Sequence, residues 1–100
     1  MRVIALSTLK AFWSDHPSGT EAKAATLAWY RHTLKADWAS PVEVKADFGN
    51  ASILKDGRVV FNIAGNHFRL VTWINYAYRV VYIRFIGTHA EYDRINAQTI

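Results

Sequence analysis

The stretch RVVFNIAGNHFRLVTWINYAYRVVYIRFIGT, residues 58–88, contains the strongest structural pattern of this chain. It is rich in β-branched and aromatic residues and is interrupted by short segments typical of turns, which predicts consecutive strands. The strands are expected at residues 58–64, 67–75 and 79–86, with turns at Gly65-Asn66 and Tyr76-Ala77 between them. The stretch therefore predicts an antiparallel meander.

The meander extends toward the N-terminus by one more strand. Asp56-Gly57 is a dipeptide that favours a tight hairpin, and residues 51–54 before it are suited to a short strand. At the other end, Thr88 and Glu91 have the spacing of a capping box, which predicts a short C-terminal helix.

The residues before the meander favour helices after a short strand at residues 2–6. Helices are expected from Ser7 to about His16 and from Thr20 to near Asp37. The second has small and apolar residues at helical spacing, which predicts that its buried side carries Ala24, Leu27, Ala28, Arg31 and Leu34. Ser40-Pro41-Val42-Glu43 resembles a capping box with proline at the first helical position, and predicts a third helix to about Ala46.

Together these elements predict one α+β domain over residues 1–100. Its N-terminal helices pack on one face of a mainly antiparallel sheet, and a short helix follows the last strand. A chain of 100 residues has room for one hydrophobic core.

Composition narrows the functional classes. The net charge is +4 and the pI is about 9.6, which favours a polyanionic partner such as nucleic acid. Cysteine is absent, which excludes disulfides and thiolate metal sites. No signal peptide or membrane-spanning apolar run is found, so a cytoplasmic protein without membrane association is expected.

Strand alternation predicts which side chains the helices leave uncovered. In the last strand, Val81, Ile83 and Phe85 are expected to face the helices, and Tyr82 and Arg84 to face away. Applied to all three strands, alternation predicts one exposed aromatic and cationic surface formed by Asn62, His67, Arg69, Trp73, Tyr82 and Arg84. Rings of this kind stack on bases, and guanidinium groups bind phosphate.

Four segments in the second half of the chain carry a recognisable pattern. They are KADF at 45–48, VVFNIAGN at 59–66, RLV at 69–71 and YIRFIGTHAEYD at 82–93. In these segments the chain resembles the HigB-type toxins of the RelE/ParE superfamily, which belong to type II toxin–antitoxin systems. The resemblance spans nearly the whole chain and is densest from Lys45 to Ile95.

The resemblance implies a RelE-like fold and an mRNA interferase, that is, an endoribonuclease that enters the ribosomal A site and cuts mRNA during translation. It also implies a HigA-type antitoxin as partner. Such an antitoxin usually carries a helix-turn-helix, so operator DNA would be contacted only through it.

Cleavage of RNA needs no metal when the RNA's own 2′-hydroxyl is the nucleophile. The enzyme must then orient that hydroxyl, move its proton, stabilise the charge at phosphorus and protonate the leaving 5′-oxygen. Arg69 matches the superfamily's strand arginine at the scissile phosphate, and Arg84 on the neighbouring strand is a candidate second clamp or substrate-backbone contact.

His89 and Tyr92 are three residues apart at the start of the C-terminal helix, so they share a side. Histidine is suited to proton transfer near neutrality, and His89 is the favoured proton carrier. Tyr92 would orient the substrate or stack on it. RelE has an arginine and a tyrosine in this region, so the assignment of general acid and general base stays open.

Weaker candidates for RNA contacts complete the set, and they are Lys45, Lys55, Asn62, His67, Trp73 and Tyr82. For Lys45, compensation of a helix dipole is an equally simple role. Glu91 and Asp93 are poorly spaced for one metal site, so neither a metal nor another cofactor is expected.

The main alternative is a non-catalytic basic module that binds RNA or the ribosome and inhibits translation. A third possibility is a subunit whose basic face only docks an acidic antitoxin segment. His89 beside clustered arginines favours the enzyme.

Overall fold

The chain forms a short strand, three helices, a four-stranded meander and a final helical turn. The computed structural model describes residues 1–100. The elements in chain order are β1 (Arg2–Ile4), α1 (Leu6–Asp15), α2 (Gly19–Lys35), α3 (Pro41–Asp47), β2 (Ser52–Ile53), β3 (Arg58–Ile63), β4 (Phe68–Asn75), β5 (Val80–Thr88) and α4 (His89–Tyr92). This order confirms the predicted α+β class.

The five strands form one sheet in the order β1-β5-β4-β3-β2. Strands β2 to β5 pair antiparallel, as the meander predicted, whereas β1 lies parallel to β5 at one edge, with Val3 opposite Val81. The sheet is therefore mainly antiparallel.

Two turns of the meander differ from the prediction in detail. Asp56 and Gly57 both have positive φ, 55° and 80°, as the predicted tight hairpin requires. After β3 the positive φ values belong to Ala64 and Gly65, one residue earlier than expected. After β4 the turn extends to Arg79, which also has positive φ, so β5 begins at Val80.

The helices cover one face of the sheet around an aromatic cluster. The ring of Phe61 on β3 lies 5.3 Å from that of Trp29 on α2, 6.1 Å from that of Trp38 and 5.2 Å from that of Phe48. Burying one large apolar side chain contributes about 1.5–3 kcal/mol, so this cluster is a main source of stability. We call this side of the sheet the core face.

The predicted buried side of α2 is wrong. Ala24, Ala28, Arg31 and Leu34 are exposed, and the buried side instead carries Ala22, Thr26, Trp29 and Thr33. The Thr26 hydroxyl donates a hydrogen bond of 2.8 Å to the Ala22 carbonyl oxygen and accepts one of 2.6 Å from the Trp13 indole N–H. Because these bonds satisfy the buried hydroxyl, a polar residue can sit between the helices.

The two predicted capping boxes have different outcomes. At α4 the box is confirmed: Thr88 Oγ1 accepts from the Glu91 N–H, and Glu91 Oε1 accepts from the Thr88 N–H. At α3 the Ser40 side chain caps no N–H, and Glu43 accepts instead from the Ala39 N–H at 2.6 Å.

None of the helices combines the length and the apolar character that crossing a membrane demands.

Candidate functional site

A bulge in β5 changes which residues face away from the helices. Val71 of β4 pairs with Phe85, but its neighbour Thr72 pairs with Ile83, so Arg84 is an extra residue without a partner on β4. Phe85 consequently packs on the face away from the helices, and its predicted position on the core face is wrong. Arg84 is exposed and makes no ion pair. Because it is the extra residue of the bulge, the alternation that was expected to place it on the same side as Tyr82 does not hold at this point of β5.

The face opposite the core face, here called the outer face, is built from three rows of paired residues. Asn62, Arg69 and Gly87 form the first row, and Val60, Val71 and Phe85 the second. Arg58, Trp73 and Tyr82 form the third row.

The segment Asp93–Ile100, here called the strap, crosses the middle row. Ala97 is buried against Val60 and Val71, with Ile95 and Ile100 packed around them. The Gln98 amide fixes the strap to the β2–β3 turn, because it accepts from the Lys55 N–H at 2.8 Å and donates to the Lys55 carbonyl oxygen at 2.7 Å. The strap divides the predicted continuous surface into two patches.

The first patch, the arginine end, centres on Arg69. This residue lies between Phe68 and Leu70, which face the core, and opposite Asn62 and Gly87. Its Nη1 donates to the carbonyl oxygens of Asn66 and Phe68 at 3.0 and 3.2 Å. No carboxylate pairs with the guanidinium, so its charge is uncompensated and suited to an anion.

His89 and His67 lie together at the end of this patch. The His89 backbone N–H donates to the His67 carbonyl oxygen at 3.1 Å, which continues the pairing of β4 with β5 beyond Phe68 and Thr88. His67 is in the turn before β4 and not in the strand as predicted. Both histidines are exposed and line a cleft of about 350 Å³, together with Glu21 of α2.

The His89 ring has one of its nitrogens engaged. Nδ1 lies 3.1 Å from Oδ2 of Asp93, one helical turn further along the chain. No protein group bonds Nε2, so this nitrogen is free for a substrate. Arg69 does not line this cleft and lies two positions away from His89 along the paired strands. An exposed histidine nitrogen can accept or donate a proton near neutral pH.

A second histidine, His16, supports the helix that carries His89. Its Nε2 lies 2.9 and 3.0 Å from the two carboxylate oxygens of Glu91, and its ring stacks on Phe12 at 4.5 Å. The hydrogen bond from the Thr88 N–H, followed by the His16 contact, holds the pKa of Glu91 below its ordinary value. The sequence by itself gives no sign of this contact, because 75 positions separate His16 from Glu91.

Tyr92 is held differently from His89. It is half-buried and packs against the buried cluster of Val60, Val71 and Ala97, next to the strap. Its ring therefore helps to anchor α4 on the outer face. Its hydroxyl has no protein hydrogen bond and remains available to a substrate.

The second patch, the aromatic end, lies beyond the strap. The rings of Trp73 and Tyr82 are stacked, with centroids 5.1 Å apart and planes 28° from parallel. Arg58 is directly opposite Trp73 on β3. Trp73 is four positions from Arg69, about 13 Å along an extended strand, so the two patches address different parts of a long ligand.

The remaining predicted contacts are less concentrated. Asn62 lies beside Arg69 and donates weakly to the Asn50 carbonyl oxygen at 3.5 Å. The Lys45 ammonium donates to the Ala51 carbonyl oxygen at 2.5 Å, so it is engaged within the fold. The Lys55 side chain is exposed in the β2–β3 turn and has no partner there.

No three histidine, aspartate or glutamate side chains converge closely enough to hold a metal ion. The arginine end does offer a guanidinium without an ion pair and two exposed imidazoles, and a tyrosine hydroxyl lies next to the strap. This set can bind a phosphodiester and move protons around it.

Comparison with known proteins gives a consistent result. The family model described as HigB_toxin, RelE-like toxic component of a toxin–antitoxin system, matches residues 22–95. The chain is 30% identical over 99 residues to the mRNA interferase toxin HigB of Escherichia coli K12, a match covering 97% of this chain and 92% of that protein. The mRNA interferase HigB of Shigella flexneri gives the same values. The mRNA interferase HigB of Escherichia coli CFT073 is 29% identical over 68 residues, 66% of either chain.

Proposed function

The chain belongs to the HigB family of RelE-like toxins, and we propose that it cuts translated mRNA on the ribosome, without a metal ion, by attack of the RNA's own 2′-hydroxyl. Membership of the family and the names of its relatives support a toxin with mRNA endoribonuclease activity and an antitoxin partner. The ribosome dependence, the chemistry and the residue roles go beyond that.

One observation carries the proposal. At the arginine end, Arg69 has no carboxylate partner, and it lies two positions along the paired strands from His89. The Nε2 atom of His89 makes no hydrogen bond within the protein. A group that binds a phosphate and a group that transfers a proton are the minimum that attack by the 2′-hydroxyl requires.

Arg69 is the proposed phosphate ligand. Its Nη1 is held by two backbone carbonyls, which fixes the guanidinium at the sheet surface, while Nε and Nη2 have no protein partner. These donors are suited to the two non-bridging oxygens of the scissile phosphate. Because negative charge accumulates there during attack, the contact strengthens in the transition state.

His89 is the proposed proton carrier. Its position at the start of α4 is fixed by the Thr88–Glu91 capping box and by the hydrogen bond to His67. Tyr92, anchored next to the strap, would orient the substrate or stack on it. Arg84, on the β5 bulge, is proposed as a second cation for the RNA backbone.

The RNA would extend from the arginine end toward the aromatic end. Trp73 and Tyr82 are suited to stacking on an unpaired base, since their rings already form a stacked platform. Asn62, His67 and Lys55 would contribute polar contacts, while Lys45 is the weakest member because a backbone carbonyl occupies its ammonium.

The proposed partner is a HigA-type antitoxin with a helix-turn-helix, through which alone the complex would contact operator DNA. The proposed site of action is the ribosome, and the proposed location is therefore the cytoplasm.

The test uses purified protein and ribosomes programmed with a defined mRNA. Cleavage is expected to leave a 2′,3′-cyclic phosphate and a 5′-hydroxyl, and a single 2′-deoxy substitution at the cut nucleotide is expected to abolish it. Cleavage that survives this substitution would contradict attack by the 2′-hydroxyl. Equal cleavage of the same RNA without ribosomes would contradict ribosome dependence, and stalled translation without any cut would favour the non-catalytic binding module.

A further inference from the structure

His89, the first residue of α4, and Asp93, which follows α4 and begins the strap, form a pair on the surface. Their Nδ1 and Oδ2 atoms are 3.1 Å apart, and the two side chains are 53% and 60% exposed. Four residues separate them, so one helical turn places them on the same side. An exposed ion pair at this spacing contributes little to the stability of the fold, so stability does not explain why the two side chains are paired.

The pair fixes which nitrogen of His89 carries the proton. A carboxylate accepts hydrogen bonds and donates none, so the bond to Asp93 requires a proton on Nδ1 of His89. In the neutral ring Nε2 then has an unshared electron pair. That nitrogen has no other partner in the protein.

His16, on the other side of α4, shows the opposite arrangement. Its Nδ1 accepts from the Ser18 backbone N–H at 3.0 Å, so the ring proton is on Nε2, which faces Glu91. Both nitrogens of His16 are thereby occupied, and it has none left for a substrate. Of these two histidines, only His89 has a ring nitrogen that is free to accept a proton.

We propose that Asp93 is the positioning residue for His89, whose tautomer it selects so that Nε2 accepts the proton of the attacking 2′-hydroxyl. This assignment rests on the proposed function. Glu21 and His67, which line the same cleft, are the other titratable groups on this side of His89, and neither bonds its ring.

In the step assigned to this pair, the 2′-hydroxyl proton moves to Nε2 of His89 while the 2′-oxygen forms a bond to phosphorus. The bond from phosphorus to the 5′-oxygen breaks, and the 5′-oxygen takes a proton from water. His89 then returns its proton to solvent. Asp93 does not touch the RNA and gains no proton, and its contribution is to hold and orient the imidazolium.

The first test measures the tautomer itself. Long-range ¹⁵N–¹H correlation spectra of the full chain are expected to show His89 with its proton on Nδ1. In Asp93→Ala the proton is expected to move mainly to Nε2, whereas Asp15→Ala, which removes an exposed carboxylate of α1 without an ion pair, leaves the His89 signals unchanged. A wild-type ring already protonated on Nε2, or a tautomer that Asp93→Ala does not alter, would overturn the proposal.

The second test measures cleavage. Asp93→Ala is expected to lower kcat by about 10–100-fold with little change in KM, by analogy with the loss of outer partners that orient a reacting histidine. Asp93→Glu retains a carboxylate and is expected to restore part of the rate, while Asp15→Ala cleaves normally. An unchanged kcat in Asp93→Ala, or a loss confined to KM, would contradict the positioning role.

The two tests separate this inference from the proposed function. If His89→Gln cleaves normally, the proposed role of His89 fails, whatever the spectra show. If His89→Gln is inactive and Asp93→Ala changes neither tautomer nor kcat, the proposed function stands and only the role of Asp93 fails.

Discussion

Arg69 lies directly opposite Gly87 across strands β4 and β5. Since glycine has no side chain, Asn62 on β3 is the only side-chain neighbour of Arg69 within the row, and the Phe85 ring and the Glu91 carboxylate approach the position that a Cβ at residue 87 would occupy. Two residues after Gly87 the chain reaches His89. The same short segment thus places no side chain of its own opposite the arginine and supplies the histidine.

The planar guanidinium of Arg69 presents paired N–H donors, so we expect that a positive charge alone will not substitute for it. Arg69→Lys keeps the charge but loses the paired donors, so it is expected to lower kcat by about 100-fold, nearly as much as Arg69→Ala. Single-turnover cleavage on ribosomes measures the effect. The matched control is Arg31→Ala, on the exposed side of α2, which should cleave normally; a fully active Arg69→Lys would show that a simple point charge suffices.

The absence of a side chain at residue 87 predicts a stability defect. A Cβ at Gly87 would lie 2.6 Å from the Phe85 ring and 2.9 Å from the Glu91 carboxylate, so Gly87→Ala is expected to cost about 1–3 kcal/mol in the free energy of unfolding. Urea unfolding followed by circular dichroism measures it. Gly49→Ala, whose Cβ would meet nothing within 4 Å, should be close to neutral, and equal stabilities of the two variants would refute the steric argument.

The Glu91 carboxylate predicts a pH-dependent contribution to stability. Folding lowers its pKa below the ordinary 4.5, first through the Thr88 N–H and then through His16. Its stabilisation is therefore fully present above about pH 4.5 and is lost as the pH falls through the lowered pKa.

Glu91→Gln isolates this contribution, because glutamine preserves the capping box but carries no charge. The variant is expected to be less stable than the wild type at neutral pH, with the difference shrinking as the pH falls below about 4.5. Chemical unfolding at a series of pH values measures the difference. A gap that stays constant throughout the series would rule out the carboxylate as its source.

The aromatic end predicts a binding defect without a catalytic one. Trp73→Ala removes one ring of the stacked pair and is expected to raise KM about tenfold while kcat stays nearly constant, since a base stacked on an aromatic ring contributes about 1–3 kcal/mol. Steady-state cleavage separates the two constants. Tyr78→Ala, an aromatic residue 79% exposed in the turn after β4, is the control, and an equal KM effect there would argue against a specific platform.

The local patterns of the sequence predicted most of the elements. Alternation in β3 and β4 correctly separates Phe61 and Leu70 on the core face from Asn62 and Arg69 on the outer face. The capping box at Thr88 also predicted where α4 begins, although β5 continues to Thr88, two residues beyond its predicted end. These signals are local, so one sequence suffices to read them.

Features that depend on tertiary contacts could not be predicted in the same way. The bulge at Arg84 moves Phe85 to the outer face, although alternation in β5 gives no sign of it. Trp29, and not the neighbouring alanines, determines which side of α2 is buried, because a large ring gains more from burial than several methyl groups.

The sequence predicted one continuous exposed surface, whereas in the structure the strap divides that surface into two patches. Arg69 and His89 lie at one end as expected, while Trp73 and Tyr82 are beyond the strap, whose Ala97 covers Val60 and Val71. Nothing in the residues 93–100 by themselves indicates where they pack, because that depends on the apolar row formed by three different strands.

The most direct test of the central claim is inducible expression without an antitoxin, with mRNA 5′-end mapping, for the wild type beside Arg69→Ala and His89→Gln. The wild type is expected to stop growth and to create new 5′-ends inside translated reading frames, and both variants, present at equal soluble levels, are expected to create none. New ends that persist in both variants would contradict the assignment of the site to the arginine end. Growth arrest by the wild type without new ends would contradict the proposed mRNA cleavage itself.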